Sequence, residues 1–235
     1  MDHSLIDGDN KVLLDVRALT RCHGDKIALR VDCLTVARGE MVAVLGSTGS
    51  GKTTFLKLVL GLLRPTAGTV RVFGLDPTTE PKHVLSRIGY VSEDPDLPKN
   101  WSIADLLNYN AALFPRWSGT RADALLNRYR LALRAKVADL SKGEHLRVRL
   151  LLALAPRPDL LLLDNPGVGL DPEIRQEMLR LGITTRYDDN GAVLFTSCSP
   201  EEVAAFVPHK IIELGPHGSL TYPFIDRGSQ ETTTA

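Results

Sequence analysis

Short apolar segments recur along the chain, and most of them are continuous rather than alternating with polar residues. Several are rich in β-branched residues and are followed by a helix start, a pattern typical of buried parallel strands. The pattern therefore predicts an α/β fold with a parallel sheet at its centre. The predicted strands cover residues 12–16, 41–45, 70–73, 88–91, 160–163, 192–196 and 210–214.

The clearest helix signals lie between the fourth and fifth predicted strands. Two of them are capping-box pairs, in which a hydroxyl residue is followed three positions later by an acid: Ser102 with Asp105, and Thr120 with Asp123. The residues from about 95 to 155 are therefore expected to form an all-helical insertion between two halves of the sheet. The predicted helices run from 102 to about 115, from 120 to about 136 and from 141 to about 155.

Only the two ends of the chain lack a regular pattern. The first ten residues show no periodicity, and neither does the polar segment from 226 to 235. We therefore expect one domain over residues 1–225, followed by a flexible C-terminal tail. Two further helix starts, Asp171-Pro172 and Ser199-Pro200, place a capping residue before a proline in the second half of that domain.

The charge balance and the cysteines restrict the class of protein. Lys and Arg number 28 and Asp and Glu number 28, so the chain lacks the basic surplus that a general nucleic-acid binder needs. The longest apolar run has six residues, whereas a bilayer span takes about 20. The N-terminus lacks the apolar core of a signal peptide, and three cysteines without metal-ligand spacing fit a reducing compartment. The sequence thus favours a soluble, cytoplasmic domain.

The predicted strand that ends at Leu45 leads directly into a glycine-rich loop with the pattern G-x-x-x-x-G-K-T, the mark of a phosphate-binding P-loop when a helix follows. Its glycines let successive N–H groups turn inward as an anion-binding nest at a helix N-terminus. Lys52 can then reach the β- and γ-phosphates, and the Thr53 hydroxyl can ligate Mg²⁺. This predicts a nucleoside triphosphate site; the alternative is a glycine-rich turn with a solvated lysine. The loop comprises Gly46, Ser47, Thr48, Gly49, Ser50, Gly51, Lys52, Thr53 and Thr54.

The second element of such a site is an acidic residue delivered by a buried strand. Four leucines at 160–163 are followed directly by Asp164, whose carboxylate is predicted to bind the metal of the nucleotide. The alternative is a core strand that ends in a capped turn.

Motifs on both sides of Asp164 narrow the interpretation. The sequence Leu-Ser-Lys-Gly-Glu occupies 140–144, some twenty residues upstream, and Gly-Leu-Asp occupies 169–171, just downstream. Together with the P-loop, these motifs make the chain resemble the ATP-binding subunits of ABC transporters from about Val12 to Tyr222. The resemblance implies a P-loop NTPase fold with a RecA-like parallel core and an antiparallel β subdomain. It also implies that the helical insertion carries the signature motif and docks on a membrane permease.

The resemblance further implies how the site works. Two such domains meet head to tail, and each ATP with its Mg²⁺ lies between the P-loop of one domain and the signature motif of the other. Ser141 and Gly143 are the signature residues expected to bind the nucleotide, and Asp171 is counted among the catalytic residues. The short linkers and the LSKG form of the signature resemble exporter-type subunits. Such subunits work with a separate permease on the cytoplasmic face of the inner or plasma membrane.

Four positions depart from the pattern of that family. Asn165 stands where the family has a glutamate that polarises the attacking water, and an amide cannot accept a proton. Cys198 replaces a histidine that contacts the γ-phosphate, and a thiol cannot supply a cationic contact. Glu93 replaces a glutamine that reaches the metal and the water, and His23 replaces an aromatic residue that stacks on adenine. These departures predict weak ATP turnover.

At Glu93 the chain has a carboxylate where the family has an amide, and at Asn165 it has an amide where the family has a carboxylate. The net charge of the two positions together is therefore the same as in the family. One hypothesis is that Glu93 partly takes over as metal ligand or base; the alternative is a solvated loop acid or a tolerated metal ligand.

Two functions remain open from the sequence. The chain is either a slowly hydrolysing ATP-binding subunit, as a homodimer or a heterodimer, or a non-hydrolysing regulatory or degenerate subunit of a heterodimeric ABC complex. A P-loop kinase or GTPase is disfavoured because no guanine-selecting motif is visible and the signature would be unexplained.

Overall fold

A computed structural model of the chain describes residues 11–92, 97–166, 191–215 and 220–221. Among the helices in these ranges, none is both long and apolar enough to cross a membrane; the longest has 13 residues. The strands are β1 (Val12–His23), β2 (Lys26–Ala37), β3 (Met41–Gly46), β4 (Ala67–Val72), β5 (Ile88–Val91), β6 (Leu160–Leu163), β7 (Ala192–Ser197), β8 (Lys210–Leu214) and β9 (Leu220–Thr221). The helices are α1 (Lys52–Val59), α2 (Pro81–Leu85), α3 (Ile103–Leu113), α4 (Gly119–Arg128), α5 (Lys142–Leu154) and α6 (Pro200–Phe206).

The larger sheet has the strand order β5-β6-β7-β3-β8-β9. The first five strands in this order are parallel, and β9 pairs antiparallel with β8. Every residue of β6 and β7 is buried, as expected for parallel strands covered on both faces. The continuous apolar segments therefore correctly predicted a parallel α/β core.

Two hydrophobic clusters cover the two faces of this sheet. Alternation along each strand sends Leu162 and Leu194 into a cluster with the apolar side chains of α1 and of the smaller sheet. Leu163 and Phe195 point the other way, into a cluster formed with α3, α4, α5 and α6. The parallel sheet is thus the central layer, and α1 lies on the opposite face from the inserted helices.

The smaller sheet is antiparallel, with the strand order β2-β1-β4. The predicted strands at 12–16 and 70–73 belong to this sheet rather than to the parallel one. The sequence analysis did not predict β2 as a strand. Its apolar residues alternate with exposed polar ones such as Arg30 and Asp32, the pattern of a half-buried strand rather than of a fully buried one.

Serine caps begin the helices of the insertion much as the sequence predicted. Ser102 and Ser141 each form a complete capping box with the acid three residues later, which confirms the predicted starts of α3 and α5. Ser199 caps α6, also as predicted.

The predicted bounds of the middle inserted helix were wrong at both ends. α4 is capped by Ser118, whose Oγ accepts a hydrogen bond from the Arg121 N–H at 3.3 Å, so Thr120 lies inside the helix. The helix ends at Arg128 because Arg130 adopts a left-handed conformation with φ of 54°, which an α-helix cannot continue through.

A buried carboxylate ties the insertion to the sheet at the end of the parallel strands farthest from the P-loop. Asp159, just before β6, accepts hydrogen bonds from Arg38 at 3.0 Å, Arg87 at 2.8 Å and Arg116 at 2.6 Å. Burial alone would raise the pKa of Asp159, but hydrogen bonds and charges from Arg87 and Arg116 hold it below its ordinary value. This Asp159 cluster joins the turn before β3, the start of β5 and the segment between α3 and α4.

Candidate nucleotide-binding site

Three predicted site elements lie at the carboxyl ends of neighbouring parallel strands. The glycine-rich loop follows β3, Asp164 follows β6, and Cys198 follows β7. Because β7 lies between β3 and β6, these ends meet at one edge of the sheet. Open α/β sheets bind their ligands at this edge, so the topology itself assembles the candidate site.

The loop needs glycine where it turns into α1. Gly51 caps that helix with φ of 95°, and a Cβ at this position would lie 2.7 Å from the carbonyl oxygen of Ala28 on β2. Gly49 also has a positive φ, of 85°, but a Cβ there would meet nothing within 4 Å. The close approach of β2 therefore fixes Gly51, whereas Gly49 is required only for its backbone conformation.

A Gly51→Ala substitution is expected to lower the free energy of unfolding by about 2 kcal/mol, half from the left-handed backbone and half from the clash with β2. Gly49→Ala is the matched control and is expected to cost about 1 kcal/mol, because only the backbone contribution remains. Urea unfolding followed by circular dichroism measures both. Equal losses at the two positions would contradict the role assigned to the Ala28 carbonyl.

Lys52 is held inside the loop, with only 5% of its surface exposed. Its Nζ donates to the carbonyl oxygens of Gly46 at 2.7 Å and Ser47 at 2.8 Å, so the ammonium lies at the centre of the turn. The buried Oγ of Ser50 has no hydrogen-bond partner in the described ranges. A buried cation beside an unpaired hydroxyl and a helix N-terminus suits an anionic ligand such as a phosphate.

Asp164 meets the loop through hydroxyl groups. The carboxylate is 2% exposed; its Oδ2 accepts from Thr53 Oγ1 at 2.9 Å and its Oδ1 accepts from Thr196 Oγ1 at 2.8 Å. Burial of the Tyr90 side chain on β5, together with the negative charge of Asp164, raises the pKa of Tyr90 to about 12. A carboxylate and a hydroxyl in contact are the hard oxygen donors that Mg²⁺ prefers, so these residues fit a magnesium ion.

The two replaced catalytic positions also come together here. Asn165 follows Asp164 with φ of 44°, a left-handed conformation that asparagine tolerates. Its side-chain Oδ1 lies 3.8 Å from the Sγ of Cys198, which is exposed at the end of β7. The pair presents an amide and a thiol where a base and a cation are expected, which is consistent with the prediction of weak turnover but does not test it.

Comparison with known proteins agrees with this geometry. A family model described as ABC transporter matches residues 29–168, more than half of the chain. The chain is an ABC transporter ATP-binding domain. The Nod factor export ATP-binding protein I of Burkholderia lata is 34% identical over 224 residues, which covers 85% of this chain and 72% of that protein.

Solved structures share the fold of this ABC domain. An ATP-binding subunit of an ABC transporter has a TM-score of 0.82 at 26% identity, over 91% of this chain and 90% of that one. A dimeric ATP-binding cassette bound to ADP and Pi in a post-hydrolysis state has a TM-score of 0.76 at 24% identity, over 88% and 96% of the two chains. The P-loop NTPase core, the antiparallel sheet and the helical insertion are therefore those of an ABC cassette.

The remaining predicted site residues of the ABC domain lie apart from the loop. His23 is exposed at the end of β1, in the hairpin whose second strand touches Gly51. Ser141 and Gly143 begin α5, where the Ser141 hydroxyl donates to Glu144 at 2.7 Å. In the described ranges, no hydrogen bond or ion pair joins these signature residues to the P-loop. Their assigned roles remain predictions.

Two predicted catalytic residues, Glu93 and Asp171, lie outside the described residues. Thr54, the last residue of the predicted loop, lies within α1. One residue of the site was missed by the sequence analysis: Thr196, which bridges Asp164 and Asn165. Its only signal was a pair of hydroxyl residues, Thr196 and Ser197, that end an otherwise apolar strand just before Cys198.

Proposed function

We propose that this chain is the ATP-binding subunit of an exporter and works with a separate membrane permease. The hydrogen bond of 2.9 Å between Thr53 and Asp164 carries the nucleotide part of the proposal, because it joins the helix after the P-loop to the strand-borne aspartate. Similarity to a Nod factor export protein supports the export direction. Attachment through a permease puts the chain at the cytoplasmic face of the inner or plasma membrane.

Three side chains of the loop are proposed to contact ATP or its metal: Ser50, Lys52 and Thr53. Lys52 would turn from the Gly46 and Ser47 carbonyls toward the β- and γ-phosphates, while the buried Ser50 hydroxyl would donate to a phosphate oxygen. Thr53 and Asp164 would hold Mg²⁺, which when bound neutralises charge on the phosphates. The loop N–H groups and the N-terminus of α1 complete an anion site.

Hydrolysis is proposed to be slow. Asn165 orients a water without accepting its proton, and loss of a general base typically costs about 10²–10⁴ in rate. Cys198, beside it, supplies no cationic contact to the γ-phosphate. Residual turnover comes from positioning and charge stabilisation, which carry most of phosphoryl-transfer catalysis. Whether Glu93 takes over as metal ligand or base stays a hypothesis.

A complete site is proposed to need a second ATP-binding domain. The N-terminus of α5 is capped by its own side chains, with Ser141 exposed and Gly143 half-buried, so it is proposed to face a nucleotide on another domain. A relative with a dimeric structure supports this arrangement. The second domain is either another copy of this chain or a different subunit; in the latter case this signature could complete the site of a competent partner.

The permease is proposed to dock in a groove beside the insertion. The groove has a volume of about 500 Å³ and lies between the end of α1, strand β5 and helices α3 and α5. Its lining is mainly apolar, with Leu60, Phe114 and Leu152 among its walls and Arg149 at one side. Leu62 also lines the groove and is 62% exposed. An apolar groove with exposed leucine at its rim suits an amphipathic helix of a membrane protein.

Lys52→Ala is expected to weaken ATP affinity about 30-fold, the value of one charge-assisted contact of about 2 kcal/mol. Lys57→Ala, an exposed lysine on the same helix, is the matched control and should leave affinity unchanged. Fluorescence titration with an ATP analogue measures the affinity, and steady-state hydrolysis with Mg²⁺ then measures the turnover. Equal affinity of the Lys52 variant and the unmodified chain would refute the nucleotide site. Tight binding without any turnover would favour the non-hydrolysing subunit of a heterodimer.

A further inference from the structure

Thr196 occupies a central place in the candidate site that no motif assigns to it. It is fully buried on β7, paired with Val44 of β3 on one side, while β6 lies on the other. Alternation along the strands puts Thr196 on the same face as Leu194, and Asp164 on the same face as Leu162. That face is the one covered by α1. Thr196 therefore lies between the two strands that carry the metal-binding elements.

The Thr196 hydroxyl uses both its donor and its acceptor capacity. It donates to Asp164 Oδ1 at 2.8 Å and accepts from the backbone N–H of Asn165 at 2.9 Å. The second contact holds the left-handed turn at Asn165, where φ is 44°. One buried hydroxyl thus fixes the carboxylate and the backbone of the next residue at once.

This arrangement determines which oxygen of Asp164 is available. Oδ1 is occupied by Thr196, so Oδ2 is directed to Thr53 on the P-loop helix. Without the hydroxyl, the buried Asp164 Oδ1 would lose the donor that fixes it, and the carboxylate would rotate to find another donor. Its alignment with Thr53 would then be lost.

We propose that Thr196 is a positioning residue that presents the Asp164 carboxylate and the Thr53 hydroxyl as a joint site for the metal of the nucleotide. The inference rests on the proposed ATP-binding function. It assigns Thr196 no contact with the nucleotide or the metal. Its effect is therefore confined to metal affinity and leaves metal-free nucleotide binding intact.

The test compares Thr196→Val, which keeps the shape and loses the hydroxyl, with Thr196→Ser, which keeps the hydroxyl. Mn²⁺ binding to the ATP complex of the full chain is measured by electron paramagnetic resonance, and ATP-analogue binding is measured separately in EDTA. Thr196→Val is expected to weaken Mn²⁺ binding at least tenfold and leave binding in EDTA within twofold. Thr196→Ser should match the unmodified chain in both. Thr196→Ala provides a second variant without the hydroxyl should valine disturb folding.

The results that would overturn the positioning role of Thr196 differ from the result that would overturn the proposed ATP-binding function. Unchanged Mn²⁺ affinity in the valine and alanine variants would overturn the positioning role alone. Equal losses in the valine and serine variants would also overturn it, because the serine hydroxyl preserves both hydrogen bonds. Absence of ATP binding by the unmodified chain in EDTA and in Mn²⁺ would overturn the proposed function, and the inference with it.

Discussion

Replacing Asn165 by glutamate is expected to raise the rate of ATP hydrolysis by about 10²-fold, because it restores a carboxylate that can accept the proton of the attacking water. The position is suitable since Asn165 directly follows Asp164 and its side chain lies beside Cys198, at the edge of the sheet where the P-loop begins. Steady-state release of phosphate by the purified chain with Mg²⁺ measures the change.

The control for this gain is Asn165→Gln, which has the length of glutamate but no basic oxygen, and it should leave the rate unchanged. Glutamate is also less tolerant than asparagine of the left-handed conformation with φ of 44°, so a stability loss of about 1 kcal/mol should accompany the gain in rate. Adding Lys52→Ala should abolish the new activity. A rate that stays low in Asn165→Glu, with ATP still bound, would show that the missing base does not limit turnover.

Replacing Asp159 by asparagine is expected to lower the free energy of unfolding by about 3 kcal/mol, because it leaves three guanidinium groups around a neutral amide. The value lies at the low end for a broken buried ion pair because Arg116 and Arg38 are partly exposed. Asp32→Asn is the matched control. Asp32 pairs with Arg30, and both side chains are about 60% exposed, so a change of less than about 0.5 kcal/mol is expected.

Chemical unfolding at several pH values further tests the ion pairs that Asp159 forms with the three arginines. The pKa of Asp159 is lower in the folded state than its ordinary value, so its contribution is fully present above the unfolded pKa of about 3.9 and is lost as the pH falls through the folded pKa. The difference between the unmodified chain and Asp159→Asn should be constant near neutrality and shrink in acid. A difference that persists unchanged at low pH would contradict an electrostatic origin.

The P-loop and the parallel strands could be predicted because their signals are local. A glycine at Gly51 in a left-handed conformation, a buried strand before it and a lysine after it are adjacent in the chain. Capping boxes at Ser102 and Ser141 are equally local, since each hydrogen bond spans three residues. Even local signals failed for α4, where Ser118 competed with Thr120 as the cap and the left-handed Arg130 ended the helix early.

The contacts within the site join residues that are distant in sequence, and the contacts of Thr196 left no motif to find. Thr53 and Asp164 are 111 positions apart, and Thr196 and Asp164 are 32 apart. The partners of Asp159 show the same property, since Arg38 is 121 positions away. From the sequence alone, any of several threonines could be the partner of Asp164, and any of several arginines the partner of Asp159. The choice depends on where the strands end in space rather than on spacing along the chain.

The sequence by itself therefore determined the class of fold, and it predicted the phosphate-binding loop, Asp164 as a metal ligand and the two catalytic replacements. Backbone conformation and strand burial follow from residues near one another, so these features can be read from short segments. Only the tertiary structure decided that Thr196 donates a hydrogen bond to Asp164 and that Asp159 ties the insertion to the sheet. The order β5-β6-β7-β3 brings the ends of these strands close together, and strand order arises from packing of the whole chain.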